Sequence, residues 1–273
     1  MINDEVQAEL RRKYNPDGST LRKAQLKMSE MLSFVDKICV DNDIEYWIDG
    51  GTLLGARRHN GFIPWDDDVD ICMTAPNFRR FKSIMGKDVT KEGYILHDDD
   101  TDPNFYCVWA VLRDVNSEYI QDSKLHNMRK YRGLQIDIFI MDDHTNMLLW
   151  KFSRKWMNKL VLDPIFGIGR FKQLNKILHP IVHFNYWFFK HILSPFINLI
   201  SFRTYDYYKY PCGCNFEGID VKTDIYPIKR TAFEGLIVNC PHDIDSYLTR
   251  MYGEWQLLPS QIETHEVTVV FKS

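Results

Sequence analysis

The stretch Asp49-Gly50-Gly51-Thr52-Leu53-Leu54-Gly55-Ala56-Arg57-Arg58-His59, followed at once by Gly61-Phe62-Ile63-Pro64-Trp65-Asp66-Asp67-Asp68-Val69-Asp70-Ile71, constrains this chain more than any other. It sets a glycine turn, a basic pair and a carboxylate cluster side by side. A protein that holds a phosphate next to a divalent cation needs that set. Phosphoryl transfer is the chemistry that uses both at once.

Val69, Ile71 and Met73 alternate with Asp68, Asp70 and Cys72, a period of two that predicts a strand with its apolar side on a core. Asp68 and Asp70 then share the other face, roughly 6.6 Å apart at a rise of about 3.3 Å per residue. Asp66 extends the row if the strand begins that early. Like charges this close repel, and a shared cation or a raised pKa relieves them. Oxygen ligands without soft donors suit Mg2+. An EF-hand is excluded by spacing, because Ile71 and Asn77 stand where that loop needs glycine and glutamate. The second acidic run, Asp98-Asp99-Asp100-Thr101-Asp102, fails the same test and reads as an exposed loop.

Ile44, Tyr46, Trp47 and Ile48 predict a strand that delivers the chain to Gly50-Gly51, and Thr52 to Arg57 the first turns of a short helix. Free N–H groups at a helix start, with no side chain on either glycine, make a seat for phosphate. Further on, Leu134, Ile136, Ile138 and Ile140 alternate with Gln135, Asp137, Phe139 and Met141, which sets Asp137 inside an apolar strand. A buried carboxylate is costly without a partner. Its candidates are a backbone or Arg neighbour and a shared cation. Arg113, at the end of an earlier strand, is a candidate cation near the phosphates.

These residues resemble the signature of the LicD family, whose bacterial members are phosphocholine transferases and whose animal relatives include fukutin and fukutin-related protein. The likeness continues in Ile136-Asp137-Ile138-Phe139, Phe233-Glu234-Gly235-Leu236, Tyr247-Leu248, Tyr252-Gly253-Glu254-Trp255 and Pro259. The resemblance implies membership of the nucleotidyltransferase superfamily, in which a glycine turn precedes a strand with two metal-binding acids and a later strand supplies a third. Those positions are Gly50, Gly51, Asp68, Asp70 and Asp137. It further implies Mg2+ or Mn2+ held by Asp66, Asp68, Asp70 and Asp137, with Asp137 as third ligand or as the base for the acceptor. Gly50, Gly51 and Thr52 would seat the diphosphate. Arg57, Arg58 and His59 either stabilise charge or stand as surface cations at the helix end.

By the same resemblance, the reaction moves phosphocholine from CDP-choline onto a hydroxyl of a cell-surface glycan (teichoic acid, lipopolysaccharide or capsule) or its lipid-linked precursor. The rivals are transfer of glycerol phosphate, ribitol phosphate or a nucleotide, and a non-catalytic glycan-binding relative. Retention of every acid the chemistry needs argues against the last. Choline calls for an aromatic pocket, for which Trp65, Trp109, Tyr226 and Trp255 are available.

At 273 residues and 45% hydrophobic content the chain can bury a sizeable core, and its net charge of −3 gives no reason to expect nucleic acid as a partner. The opening Met1-Ile2-Asn3-Asp4-Glu5 lacks a signal-peptide pattern, and six cysteines placed mostly singly suit a reducing compartment. Both point to the cytoplasm. Cys212, Cys214, Cys240 and His242 are the one set with zinc-like chemistry, but their one-residue gaps are tighter than zinc sites use.

Between residues 145 and 210 ten Lys or Arg face only Asp163 and Asp206, for a local charge of +8 among many aromatic residues. No run is long and uncharged enough to span a bilayer. Basic amphipathic helices of this kind suit the surface of an anionic membrane, the inner face of the plasma membrane for a cytoplasmic protein. A plain helical cover over the sheet is the alternative. The expected fold is α+β: a nucleotidyltransferase-like core with a mixed β-sheet flanked by helices, plus a basic helical insertion. One LicD-like domain fills 1–273, with 19–144 as catalytic core, 145–210 as insertion and 211–273 completing the core.

Overall fold

The computed structural model describes residues 2–166, 175–201, 203–262, 264 and 267–272. Its first helix, α1 (Asp4–Tyr14), starts where the Asn3 side chain accepts from the Val6 N–H, and it buries no residue, which is why no apolar face announced it. The second, α2 (Thr20–Asp41), is long, and the Ser19 hydroxyl caps it by accepting from the Arg22 N–H at 3.1 Å. Its buried face, Ala24, Met28, Met31, Leu32 and Val35, repeats at helical spacing and packs toward the central sheet.

That sheet has five strands: β1 (Trp47–Ile48), β2 (Asp70–Thr74), β3 (Tyr94–His97), β4 (Ala110–Asp114) and, after a short outlying β5 (Ser117–Tyr119), β6 (Gln135–Met141). The spatial order is β1-β2-β6-β4-β3. Strands β2 and β6 run parallel, and the other neighbours are antiparallel. Helix α3 (Gly50–His59) joins β1 to the loop before β2, and α4 (Ala75–Met85) follows β2 directly with Pro76 in its first turn. A mixed sheet flanked by helices is therefore what the chain forms.

Several strands are shorter than the sequence suggests. Only Trp47 and Ile48 of the first apolar run pair with β2. Strand β4 starts pairing only at Ala110, after a turn in which the N–H of Phe105 is spent on the Asp102 carbonyl. Strand β2 begins at Asp70, so Asp68 lies in its extended approach, although the Asp137 N–H still donates to the Val69 carbonyl at 2.9 Å.

The acidic run after β3 is not a plain exposed loop. Asp98 and Asp102 are buried. Asp98 accepts from the N–H groups of Asp100 and Thr101 and pairs with Lys82, while Asp102 accepts from His97 at 2.9 Å and from the Lys130 N–H at 2.7 Å. Buried carboxylates survive here because each is fully bonded.

The main core joins α2 and both faces of the sheet to Phe233, Val238, Tyr247, Leu248 and Trp255 from the end of the chain. Apart from Trp255, these come from the hairpin Lys229–Phe233 and Leu236–Cys240 and the helix Ile244–Tyr252 capped by Asp243. A second, smaller cluster gathers Met157, Val161, Val182, Tyr186, Phe189 and Ile197 from the helical segment after β6. Residues 167–174 and Phe202 of the expected insertion lie outside the described residues. Among the described residues no helix is long and apolar enough to cross a membrane.

Candidate active site

Strand β1 ends at Ile48, and the Asp49 N–H reaches the Asp70 carbonyl at 3.0 Å. The chain then turns into α3 through Gly50, whose φ of +54° belongs to the region glycine favours. Two distances explain the glycine pair. A Cβ on Gly50 would stand 3.2 Å from an Asp70 carboxylate oxygen, and one on Gly51 2.6 Å from an Asp66 oxygen. The helix start is thus pressed against the acids, with Thr52 accepting from the Asp70 N–H at 2.9 Å. The positive end of the helix dipole meets the carboxylate row.

Asp70 sits beside Asp137 in the β2–β6 register, so the two carboxylates share one face on adjacent strands. Burial pushes Asp66 up to about 6, helped by Asp67. Burial, then Asp66 and Asp137, lifts Asp68 well above the carboxylate range, and burial, then Asp68 and Asp137, does the same for Asp70. Asp137 is raised by burial too, against hydrogen bonds from Trp109 Nε1 at 3.0 Å and Gln135 Nε2 at 2.9 Å. So the structure answers the partner question for Asp137 with two side-chain donors and an acidic neighbour. Asp67 is turned to Tyr119, whose hydroxyl donates at 2.7 Å.

Among the described residues, two groups bring three ligand atoms within 4.8 Å of one another: Asp49, Cys72 and Asp220, and Asp142, Asp143 and His144. The row of Asp66, Asp68, Asp70 and Asp137 is not gathered that tightly. The two tight groups are already supplied with donors. Asp49 accepts from Tyr247 at 2.7 Å, Tyr210 at 2.9 Å and the Cys72 thiol at 3.2 Å, and Asp143 pairs with Lys222 and His144. Burial, then Asp49, raises the Asp220 carboxyl well above the usual carboxylate range. This hydrogen-bonded knot lies under the glycine turn and holds it in place.

Arg113 is buried beside the row. Its Nη1 donates to the Gly133 carbonyl at 2.7 Å, while Nε and Nη2 have no partner. Burial, then Arg129, pulls its pKa down to about 9, and Asp137 opposes the shift. Tyr252, 3.8 Å from the position of a Gly50 Cβ, has its hydroxyl raised by burial and by Asp49 and Asp70. Sequence reasoning passed over Tyr252 and Gln135 as site residues. Tyr252 lay in the quoted Tyr252-Gly253-Glu254-Trp255 motif, and Gln135 on the Asp137 face of its strand.

Arg57 and Arg58 are not brought to the acids. Arg57 clasps Asp245 with two bonds of 2.7 and 3.0 Å, and buried Arg58 donates to the carbonyls of Trp255 and Leu257. His59 meets Gln7. All three belong to the last turn of α3, about 10 Å along the axis from its start at 1.5 Å per residue. Of the four aromatic candidates, Trp65 packs on Tyr14 and His59 and Trp255 lies under Arg57. Trp109 and Tyr226 line a cavity of about 850 Å3, together with the start of α4 and Tyr186 and Phe189 of the helical segment. Cys212 belongs to the smaller cluster and Cys214 and Cys240 to the main core, and with His242 they form no metal group among the described residues.

Residues 43–165 match the family model described as LicD/FKTN/FKRP, nucleotidyltransferase domain. The chain is similar to the lipopolysaccharide cholinephosphotransferase LicD of Haemophilus influenzae, at 34% identity over 128 residues, 46% of each protein. It is 29% identical over 147 residues to the uncharacterized protein RP689 of Rickettsia prowazekii, 47% of this chain and 53% of that one. It is 61% identical over 56 residues to human ribitol 5-phosphate transferase FKRP, 19% of this chain and 11% of that one. The matches to LicD and RP689 span about half the length of those relatives. Residues 43–165, the part of the chain that matches the LicD family model, hold the glycine turn, all four acids and Arg113.

Proposed function

We propose that the chain is a metal-dependent transferase of nucleotidyltransferase type that moves a phosphorylated alcohol, phosphocholine from CDP-choline, onto a hydroxyl of a cell-surface glycan or its lipid-linked precursor. The observation that carries this reading is the start of α3 packed against Asp66 and Asp70, with Asp70 in register with Asp137. The donor set fits a hard cation: Asp66, Asp68, Asp70 and Asp137 offer only oxygen, and burial, then their acidic neighbours, raises Asp68 and Asp70. Mg2+ or Mn2+ bound there supplies charge neutralisation to the phosphate oxygens.

The protein's own groups do the rest. Gly50, Gly51 and Thr52 present N–H groups to the diphosphate. We assign to Arg113, with two nitrogens uncommitted, and to the Tyr252 hydroxyl, beside the position of a Gly50 Cβ, the steadying of charge at the same phosphates. The cavity lies on the Trp109 side of the row, away from the glycine turn. In-line displacement needs leaving group and acceptor on opposite sides of phosphorus. We therefore assign that cavity to the acceptor. As the acceptor oxygen bonds to phosphorus and the nucleoside monophosphate leaves, the acceptor proton passes to Asp137, whose Trp109 partner lines the cavity.

The similarity to FKRP favours a second reading, ribitol phosphate as the transferred group. Incubation with Mg2+ and CDP-choline, CDP-ribitol or CDP-glycerol separates the two. Release of cytidine monophosphate from CDP-choline alone supports the first, release from CDP-ribitol the second, and none from any of the three, with no thermal shift, refutes both.

A further inference from the structure

The helical segment after β6 turns an unusual face to solvent. Phe184 is 60% exposed, Trp187 50% and Phe152 50%, and Leu148 and Ile181 are exposed as well. Globular surfaces seldom carry so many large apolar groups together. They are contiguous across two helices: Phe152 touches Trp156, Trp156 stacks on Phe188, Phe188 meets Phe184, and Phe184 stacks on Trp187. Beside this chain of rings stand four cations. Arg154 is paired with Glu217 and Lys159 with Asp163. Lys151 and Lys155 form no ion pair among the described residues, and they share the exposed face of the helix Met147–Met157 with Leu148 and Phe152.

We infer that this face docks on an anionic lipid bilayer, with Phe184 and Trp187 entering the headgroup layer and Lys151 and Lys155 meeting lipid phosphates. Aromatic rings beside unpaired lysines match what such an interface offers, apolar depth next to negative charge. A protein partner of equal area would leave both lysines to find dedicated carboxylates. The helix that carries Phe184 and Trp187 outward turns Tyr186 inward, and Tyr186 with Phe189 just beyond lines the 850 Å3 cavity. One helix diameter, about 10 Å, thus separates bilayer from cavity. The role this gives the surface, presenting the cavity to a lipid-held acceptor, rests on the transferase reading; the surface itself does not.

Co-flotation of the full chain with phosphatidylcholine vesicles, with and without phosphatidylglycerol, tests the inference. The chain should float with the anionic vesicles only, and less at high salt, because exposed charges are screened within about 8 Å at physiological ionic strength. Phe184→Ser with Trp187→Ser should abolish flotation. Lys151→Gln with Lys155→Gln should weaken it about 25-fold, at roughly fivefold per lysine. Both variants change exposed side chains and should keep the wild-type circular dichroism and melting temperature. Flotation without preference for anionic lipid, none at all, or an undiminished double serine variant overturns the proposal, as does a wild-type dimer that those serines dissociate. Turnover of CDP-alcohols in solution is read separately, so loss of the transferase reading leaves the flotation result standing.

Discussion

At the scale of the residue, the acids are in conflict with themselves. Asp68 is lifted by burial and then by Asp66 and Asp137, and Asp70 by burial and then by Asp68 and Asp137, so Asp68→Asn and Asp70→Asn should each raise the melting temperature in chelator while lowering transfer by at least about a hundredfold. Near-normal transfer by either variant removes it from the metal set. The pH dependence has a definite sign. A carboxyl whose folded pKa stands above its unfolded value binds more protons in the folded state, so stability falls as pH rises between the two. For Asp66 that window runs from the ordinary carboxylate range to about 6. Metal-free protein should therefore melt lower at pH 7 than at pH 5, and added Mg2+ should narrow or reverse the difference, since the cation binds the ionised row. A metal-independent profile measured by scanning calorimetry would contradict this. The row itself was legible in the sequence because alternation and like charge are local properties. Tyr252 was not, because its approach to Gly50 depends on how the last helix docks.

Elements explain which sequence expectations moved. Gly50 and Gly51 were read as room for phosphate, and the structure adds that Asp66 and Asp70 already crowd the helix start. Gly51→Ala should thus displace Asp66 and lower both activity and Mg2+-induced stabilisation, as read by calorimetric titration. Unchanged metal affinity would show that Asp66 is not a ligand. Arg57 and Arg58 looked like phosphate cations because they follow the glycines in sequence. A helix carries them away from the acids, and there they tie α3 to Asp245 and to the carbonyls of Trp255 and Leu257. A similar long-range tie joins α2 to the hairpin turn: Arg22 meets Glu234 at 2.7 Å, and Glu234 also accepts from the Phe62 N–H at 3.0 Å. With both side chains largely buried, Glu234→Ala strands a guanidinium and should cost about 3 kcal/mol in a urea melt. A loss under about 1 kcal/mol would mean that water replaces the carboxylate. No spacing rule links residues 22, 62 and 234, so only the quoted Phe233-Glu234-Gly235-Leu236 motif hinted at it.

For the whole molecule, the division of labour lies across the sheet. One face carries Ile71, Met73, Ile136 and Ile138 into the main core, and the other carries Asp70 and Asp137 toward the site. The helical segment does not merely cover that second face. It closes the cavity from the far side, so the cavity is built from two clusters of packing, one on the sheet and one in the helices. Composition revealed the segment as a change of charge, but not its inward wall, since Tyr186 and Phe189 look in sequence like Phe184 and Trp187. Ser194, on that wall and partly buried, offers a test. Ser194→Trp puts an indole into the cavity without touching the glycine turn or the acids. If the cavity receives the acceptor, the variant should raise the acceptor KM or abolish transfer to a glycan, while slow release of cytidine monophosphate to water continues at the wild-type rate. Water needs no cavity, whereas a sugar does. Should hydrolysis and transfer fall together, the cavity serves the donor instead, and the in-line assignment of its two sides is reversed.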